Sequence, residues 1–163
     1  TRWPFVFRRM SPIWIRAMAV ARIFMLGEGE HEVDGNANKQ LVVTCNNVTF
    51  TGRGSSRTTV RGGFIMTNRM NVFFEQLNVT NPQGHGFDMV GGETNVEVLE
   101  CTVKECRGTG MFVHDGATVV ATRCEFMENK FGIDVSDQSK AILTDCTIHH
   151  NKDHGLYVSR NAA

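Results

Sequence analysis

CEFMENKFGIDV (124–135) and CTIHHNKDHGLYV (146–158) are two stretches built on one plan. Each begins with Cys, has a large apolar residue two positions later, continues through Asn-Lys and ends in Gly-apolar-x-Val. Almost all the other polar residues differ between the two. Apolar positions that repeat while polar positions vary are typical of structural repeats that pack on one another.

The same period extends beyond these two stretches. Cys101, Cys124 and Cys146 are separated by 23 and 22 residues. A second column has separations of 24, 22 and 23 residues and consists of Gly86, Gly110, Gly132 and Gly155. Two independent columns with one period indicate a repeat of about two dozen residues.

Each repeat contains three short segments with apolar residues at positions i and i+2. In one repeat these are Phe87-x-Met89, Val96-x-Val98 and Cys101-x-Val103. This alternation predicts strands with one face buried. Three strands in so few residues leave no room for helical hairpins, so we predict a parallel solenoid in which each turn of the chain forms one rung.

Asparagines recur where the chain must turn after the third of these segments. Asn129 and Asn151 come five residues after their cysteines, and Asn81 comes four after Leu77. Asn tolerates left-handed backbone and its amide can bond along a stack, so we predict a corner ladder here rather than a binding site. Cys106 takes the same corner position in its own rung.

This pattern resembles a right-handed parallel β-helix and is similar to the pectin lyase-like superfamily with its short carbohydrate-binding and sugar-hydrolase-type repeats. RIFMLGEGEHEV (22–33) resembles the first strand and turn of such proteins, and NNVTFTGRGSSRTTVRGG (46–63) resembles their first full coil. The expected fold class is all-β, a single-stranded right-handed parallel β-helix over residues 22–163. The resemblance is specific for the fold and implies little about activity.

Residues 1–21 form a separate segment in this prediction, a basic and aromatic N-terminal cap. It has several arginines, no acidic residue, and a Ser11-Pro12 pair suited to starting a short helix over residues 12–21. A contact with membrane or nucleic acid and the remnant of a transit peptide are alternatives for this segment. At the other end the chain reaches Ala163 partway through a rung with no capping element, so we expect either further rungs or a protein partner there.

Composition excludes several classes of partner. Lys plus Arg and Asp plus Glu number 17 each, so no overall field attracts nucleic acid, and none is expected as a partner. No apolar run approaches the roughly 20 residues of a transmembrane segment.

The five cysteines have no spacing typical of zinc sites, and three fall in one inward column, so we expect buried free thiols. An odd number of free thiols favours a reducing compartment.

The resemblance implies that any enzymatic site lies on the outer face of the strand after the repeated glycine. One outward column there is Ile65, Asp88, Phe112, Asp134 and Tyr157, and the next is Thr67, Val90, His114, Ser136 and Ser159. Asp115, Asp137 and Arg160 follow just beyond, and we expect Asp115 to turn away from His114. Aromatic rings stack on sugars and carboxylates accept hydroxyl hydrogen bonds, so Asp88, Phe112, Asp134 and Tyr157 are candidate ligand-binding residues.

Candidate catalytic residues are Asp88, His114 and Asp134. The backbones of Asp88 and Asp134, two rungs apart, are about 9.6 Å apart by strand spacing. This is near the upper end of the roughly 6.5–9.5 Å between carboxyl groups in inverting glycosidases. Phe112 lies between them in the column, where the reacting bond and a water need room.

Other histidines are interpreted as structural. Gly84-His85-Gly86 is similar to a triplet of polygalacturonase-type hydrolases, but the remaining motifs of those enzymes are absent, so His85 is interpreted as turn variation. His149, His150 and His154 are close in sequence, yet their side chains are expected to diverge, and no metal site or cofactor is predicted.

The preferred function is a non-catalytic β-helix scaffold or binding module. It would present its outer face to a protein or glycan and use the open C-terminal rung and the basic N-terminus as docking points. The alternative is a carbohydrate-active enzyme, a polysaccharide hydrolase, lyase or epimerase, that uses Asp88, His114 and Asp134. A third possibility is a piece of a longer β-helix whose site lies beyond Ala163.

Overall fold

The computed structural model describes residues 21–159 and 161–163. These residues form eighteen β-strands in three parallel sheets of six strands each, with no helix in the described part of the chain. Consecutive strands belong to different sheets, and the neighbours of a strand within its sheet come from the rungs before and after it. The predicted parallel solenoid is therefore confirmed, with six rungs.

Sheet 1 contains β1 (Arg22–Met25), β4 (Val48–Thr51), β7 (Val72–Glu75), β10 (Asn95–Leu99), β13 (Thr118–Thr122) and β16 (Lys140–Thr144). Sheet 2 contains β2 (Gly29–Glu32), β5 (Thr58–Arg61), β8 (Asn78–Thr80), β11 (Thr102–Lys104), β14 (Glu125–Met127) and β17 (Thr147–His149). Sheet 3 contains β3 (Gln40–Val43), β6 (Gly63–Thr67), β9 (Phe87–Val90), β12 (Thr109–His114), β15 (Phe131–Val135) and β18 (Leu156–Val158).

The core consists of inward side chains that stack on their counterparts one rung away. In sheet 3, Phe87 pairs with Met111 and Met111 pairs with Ile133, all three fully buried. Aromatic rings fill the first rungs, where Phe50 stacks on Phe74 with centroids 5.1 Å apart. Because each inward residue covers the one below it, the apolar pattern of one rung requires a similar pattern in the next.

The corner between sheets 2 and 3 is held by the predicted asparagine ladder. Asn129 is fully buried, donates from Nδ2 to the Val103 carbonyl at 3.0 Å and accepts from the Cys106 amide at 3.0 Å. Left-handed backbone occurs one position earlier, at Glu128 with φ of 57° and at His150 with φ of 52°. The asparagines thus contribute hydrogen bonds, while the residue before each of these two turns the chain.

The five cysteines are buried or partly buried. Cys101, Cys106 and Cys124 are buried, Cys45 and Cys146 are partly buried, and all five are free thiols. The Cys124 thiol donates to the Val98 carbonyl at 3.4 Å. Burial raises the pKa of the Cys124 thiol to about 11 and that of Cys106 to about 12, and it raises the pKa of Cys101 still further.

Apolar side chains are exposed at both ends of the solenoid. In the last rung Leu156 and Val158 point inward in register with Ile133 and Val135, yet each remains nearly half exposed. At the other end a cavity of about 350 Å³ is lined by residues of the first rungs, including Phe24 and Val43. The predicted helix over residues 12–21 falls, except for Ala21, outside the described residues, as does the rest of the basic segment.

Residues 21–159 and 161–163 contain no helix with the length and apolar character needed to cross a bilayer.

Candidate functional site

The outer face of sheet 3 carries the predicted polar column in the predicted order. Asp88 pairs with Ile65 and Phe112, and Asp134 pairs with Phe112 and Tyr157. Alternation along each strand accounts for this, because the buried residues on both sides of Asp88 and Asp134 point into the core. We use the term outer strip for His85, Asp88, Phe112, His114, Asp134 and Tyr157.

His114 and Asp88 form a hydrogen-bonded pair across two strands. The His114 Nε2 atom lies 2.9 Å from Asp88 Oδ1, and both side chains are more than four-fifths buried. A carboxylate only accepts, so Nε2 carries the proton in this pair. The pair brings together two of the three candidate catalytic residues, with Asp88 placed to orient the imidazole.

Phe112 packs against two imidazoles. Its ring stacks on His114 with centroids 4.1 Å apart and lies 5.3 Å from the ring of His85. Phe112 stands between Asp88 and Asp134 in register, as predicted, and its ring helps to hold His114 in place.

His85 belongs to the outer strip, although the sequence alone suggested only turn variation. Its Nδ1 accepts a hydrogen bond from the Thr109 amide at 2.9 Å. The Nε2 atom therefore carries the proton in the neutral ring. The signal that could have placed His85 here was its position one residue before the repeated glycine, directly ahead of the strand that bears Asp88.

Asp134 is the third candidate, and its carboxyl group is only partly solvated. Its Oδ1 atom is buried without a hydrogen-bond partner, while the residue as a whole is half-buried. Burial raises the pKa of Asp134 above its ordinary value, with a smaller contribution in the same direction from Asp137. The imidazoles of His114 and His85 act in the opposite direction. Asp134 thus keeps its proton to a higher pH than an ordinary aspartate.

Asp115 does not turn away from His114, so that expectation is wrong. Asp115 Oδ2 lies 3.2 Å from His114 Nδ1. Asp115 has a left-handed φ of 56°, which interrupts strand alternation and returns its side chain to the same side as His114. Asp137, one rung later, has a φ of 53° and accepts a hydrogen bond from the Ser136 hydroxyl at 3.2 Å.

Aromatic surface extends along the last rungs of sheet 3. Tyr157 is nearly half exposed and stacks loosely with His154 at a centroid distance of 6.2 Å. The His154 ring also lies 5.8 Å from Phe131, over which the Lys130 ammonium is placed at 5.0 Å. Arg160, predicted just beyond the strip, lies outside the described residues.

The other histidine cluster lies on the outer face of sheet 2. His149 Nδ1 and His150 Nδ1 are 2.6 Å apart, and His149 Nε2 lies 3.0 Å from Glu125. These two rings converge, contrary to expectation, because His150 is the left-handed corner residue. His154 points to sheet 3 and does not join them.

A charged groove of about 660 Å³ runs along the corner between sheets 2 and 3. Both cations and carboxylates line it, among them Arg107, Lys130 and Lys152 with Glu105, Glu128 and Asp153. None of the candidate catalytic residues lines this groove. The mixed charge gives it no preference for one sign of ligand.

Comparison with known proteins decides the family. The family model described as "right handed beta helix region" matches residues 32–163. The chain belongs to the right-handed β-helix family. The resemblance to the pectin lyase-like superfamily fits this family, and the handedness of the solenoid follows from membership. Searches of curated proteins and of solved structures found no match. Family membership accounts for the β-helix and leaves the role of the outer strip to be argued from its own geometry.

Proposed function

We propose that this chain is a non-catalytic β-helix binding module whose outer strip binds a glycan. The observation that carries the proposal is the column Phe112, Asp134 and Tyr157, three successive rungs in register on one solvent-facing sheet. Two aromatic rings stand two rungs apart, about 9.6 Å by strand spacing, with a carboxyl group between them. Rings of this kind stack on apolar faces of sugars, and the carboxyl group accepts or donates hydrogen bonds to hydroxyls.

The open shape of the strip favours a polymer over a small molecule. Small-molecule sites are usually concave and enclose most of their ligand. The outer strip is instead one face of a sheet, and its member Tyr157 carries it to the last rung. An extended chain can contact successive rungs, whereas a small ligand would remain largely solvated on this face.

Affinity electrophoresis or calorimetry with soluble neutral glycans and polyuronates tests the proposal. We expect at least one polymer to bind, with affinity lowered about tenfold or more by Tyr157→Ala or Phe112→Ala, since each removes a stacking ring. Phe73→Ala is the matched control, because Phe73 is an outward ring on sheet 1. Equal affinity for wild type and Tyr157→Ala, or no binding across the panel by folded protein, contradicts the proposal.

A carbohydrate-active enzyme is the second candidate, favoured by the Asp88–His114 pair next to Asp134. A partly buried carboxyl group with a raised pKa suits a proton donor, and an imidazole held by a carboxylate suits a base. In this interpretation His114 is the base that accepts the proton released in the reaction, and Asp88 orients the His114 imidazole. Asp134 is the acid that protonates the leaving oxygen. One base and one proton donor on the same face are the minimum that hydrolysis or elimination requires.

Turnover assays separate the two candidates. Incubation with the same panel, followed by measurement of reducing ends and of unsaturated products, detects hydrolysis and elimination. If the chain is an enzyme, Asp134→Asn abolishes product while circular dichroism shows an intact fold. Product formed by wild type but not by Asp134→Asn overturns the non-catalytic proposal, and binding without product supports it.

A protein partner at the last rung is the second part of the preferred function. Leu156 and Val158 are exposed there although they belong to inward columns. The edges of β17 and β18 offer backbone groups for a further strand layer, while Ala163 already accepts a hydrogen bond from the Ala141 amide of β16 at 2.7 Å. The basic N-terminal segment, the other proposed docking point, lies outside the described residues.

A further inference from the structure

We propose that the turn after sheet 3 binds a divalent transition-metal ion through His114 Nδ1 and the carboxylates of Asp115 and Asp137. One ligand atom from each of these residues lies within 4.8 Å of the other two. Among the described residues this is the one such group of three metal-ligating side chains. The inference is independent of glycan binding and departs from the expectation, made from the sequence, that no metal is bound.

The orientation of His114 provides the first argument. Asp88 Oδ1 accepts a hydrogen bond from Nε2 at 2.9 Å, so in the neutral ring Nδ1 has a free lone pair. That lone pair faces Asp115 Oδ2 at 3.2 Å. Two acceptors at this distance repel each other unless a proton or a cation lies between them. A carboxylate on the remote nitrogen is also the usual support for a metal-bound histidine.

The two carboxylates provide the second argument. Asp115 and Asp137 occupy equivalent left-handed turn positions on adjacent rungs, so their side chains converge. No lysine or arginine side chain in the described part of the chain forms an ion pair with either of them. Like charges brought together at a solvated turn repel each other, and a bound cation removes this repulsion.

The donor set indicates which metal. One imidazole nitrogen and two carboxylate oxygens suit Zn²⁺ or Mn²⁺, whereas Ca²⁺ and Mg²⁺ prefer oxygen ligands alone. Zinc bonds to such ligands are about 2.0–2.2 Å long, which requires ligand atoms roughly 3.5 Å apart in a tetrahedron. The exposed Asp115 side chain can rotate to reach that spacing. Three protein ligands leave a position for water or a ligand oxygen.

Metal binding by the full chain, in the absence of any glycan, tests the inference. Chelator-treated protein is titrated with Zn²⁺ by calorimetry and with Mn²⁺ by electron paramagnetic resonance. The titrations use wild type and a His149→Gln/His150→Asn background, which removes the other converging histidines. We expect one equivalent to bind in both, with affinity lowered about tenfold or more by Asp137→Asn. Asp88→Asn should lower it by roughly 10–100-fold, as for other residues that support a metal ligand.

Asp145→Asn is the matched control. Asp145 is also an exposed turn carboxylate with a left-handed φ of 53°, but it lies between sheets 1 and 2, and its substitution should leave affinity unchanged. Nitrogen NMR of His114 gives a second readout, since metal should shift Nδ1 and leave the Nε2 proton in place. The inference is overturned by absent binding in folded protein, by equal affinity in Asp137→Asn, or by binding that disappears with His149 and His150. Because no sugar is present, failure of glycan binding leaves these outcomes unaffected.

Discussion

At the scale of single residues, the corner asparagines combine burial with complete hydrogen bonding. The Asn129 side chain donates to the Val103 carbonyl and accepts from the Cys106 amide, both in the preceding rung. The backbone amide of Asn129 donates to Asn151 Oδ1 in the following rung at 3.0 Å. The chain of bonds joins three rungs. Removal of the Asn129 side chain leaves the buried Cys106 amide without its partner, which costs more than the bond itself contributes.

Asn129→Ala should therefore lower the free energy of unfolding by about 3 kcal/mol. Asn151→Ala, in the less buried last rung, should cost less, and Asn95→Ala, which removes an exposed side chain, should be close to neutral. Urea denaturation followed by circular dichroism measures all three. A loss for Asn129→Ala no larger than that for Asn95→Ala would show that the ladder does not stabilise the fold.

The buried thiols predict a pH dependence of stability. The pKa of Cys124 rises from about 9.0 to about 11, so between these values the folded protein keeps a proton that the unfolded chain releases. The free energy of unfolding should then fall as pH rises from 9 toward 11, by up to roughly 2 kcal/mol from this thiol. Cys124→Ala should show a shallower fall over this window in urea denaturation. Identical slopes for wild type and variant would contradict the prediction.

At the scale of elements, the repeated glycine lets adjacent strands of sheet 3 approach closely. A Cβ atom on Gly110 would lie 2.8 Å from the Gly132 carbonyl oxygen, and one on Gly132 would lie 2.3 Å from the Gly155 carbonyl oxygen. Neither residue has a positive φ, so the need for glycine comes from space rather than from backbone conformation. The column on which the sequence period rests thus has a packing cause.

Gly110→Ala should destabilise the protein by about 2 kcal/mol because the neighbouring strand must shift. Gly92→Ala is the matched control, since a Cβ there would meet no atom within 4 Å and the residue has no positive φ. This control should be neutral or slightly stabilising. Thermal denaturation of both variants decides the matter, and similar melting temperatures would show that the sheet adapts without cost.

At the scale of the whole molecule, the described solenoid exposes apolar surface at both ends. The first rungs leave a cavity lined by Phe24 and Val43, and the last rung leaves Leu156 and Val158 exposed. Between the two ends, the inward side chains of each rung are covered by those of the neighbouring rungs. Apolar side chains that lack this cover therefore lie at the ends.

We expect the purified chain to self-associate in a concentration-dependent way through the last rung. Val158→Lys should reduce association at little cost in stability, because Val158 is already nearly half exposed. Met70→Lys is the control, since Met70 is equally exposed at 47% but lies in a side turn. Sedimentation velocity at several concentrations measures the effect. Monomeric wild type, or equal association by Val158→Lys, would contradict the prediction.

The period, the three sheets and the inward columns could all be derived from the order of amino acids. In-register stacking gives equivalent positions the same surroundings, so Cys101, Cys124 and the repeated glycine report the fold directly. The outward order Asp88, Phe112, Asp134 followed from alternation for the same reason. Local rules of this kind determine which face a residue occupies.

The contacts of the site required the tertiary structure. Whether His114 meets Asp88 depends on side-chain rotamers across two rungs, and the return of Asp115 depends on one left-handed residue at the strand end. His85 joined the strip because the Thr109 amide of the next rung holds its ring. Alternation assigns faces along a strand, but it ends at the corners, where backbone conformation and neighbouring rungs decide which side chains converge.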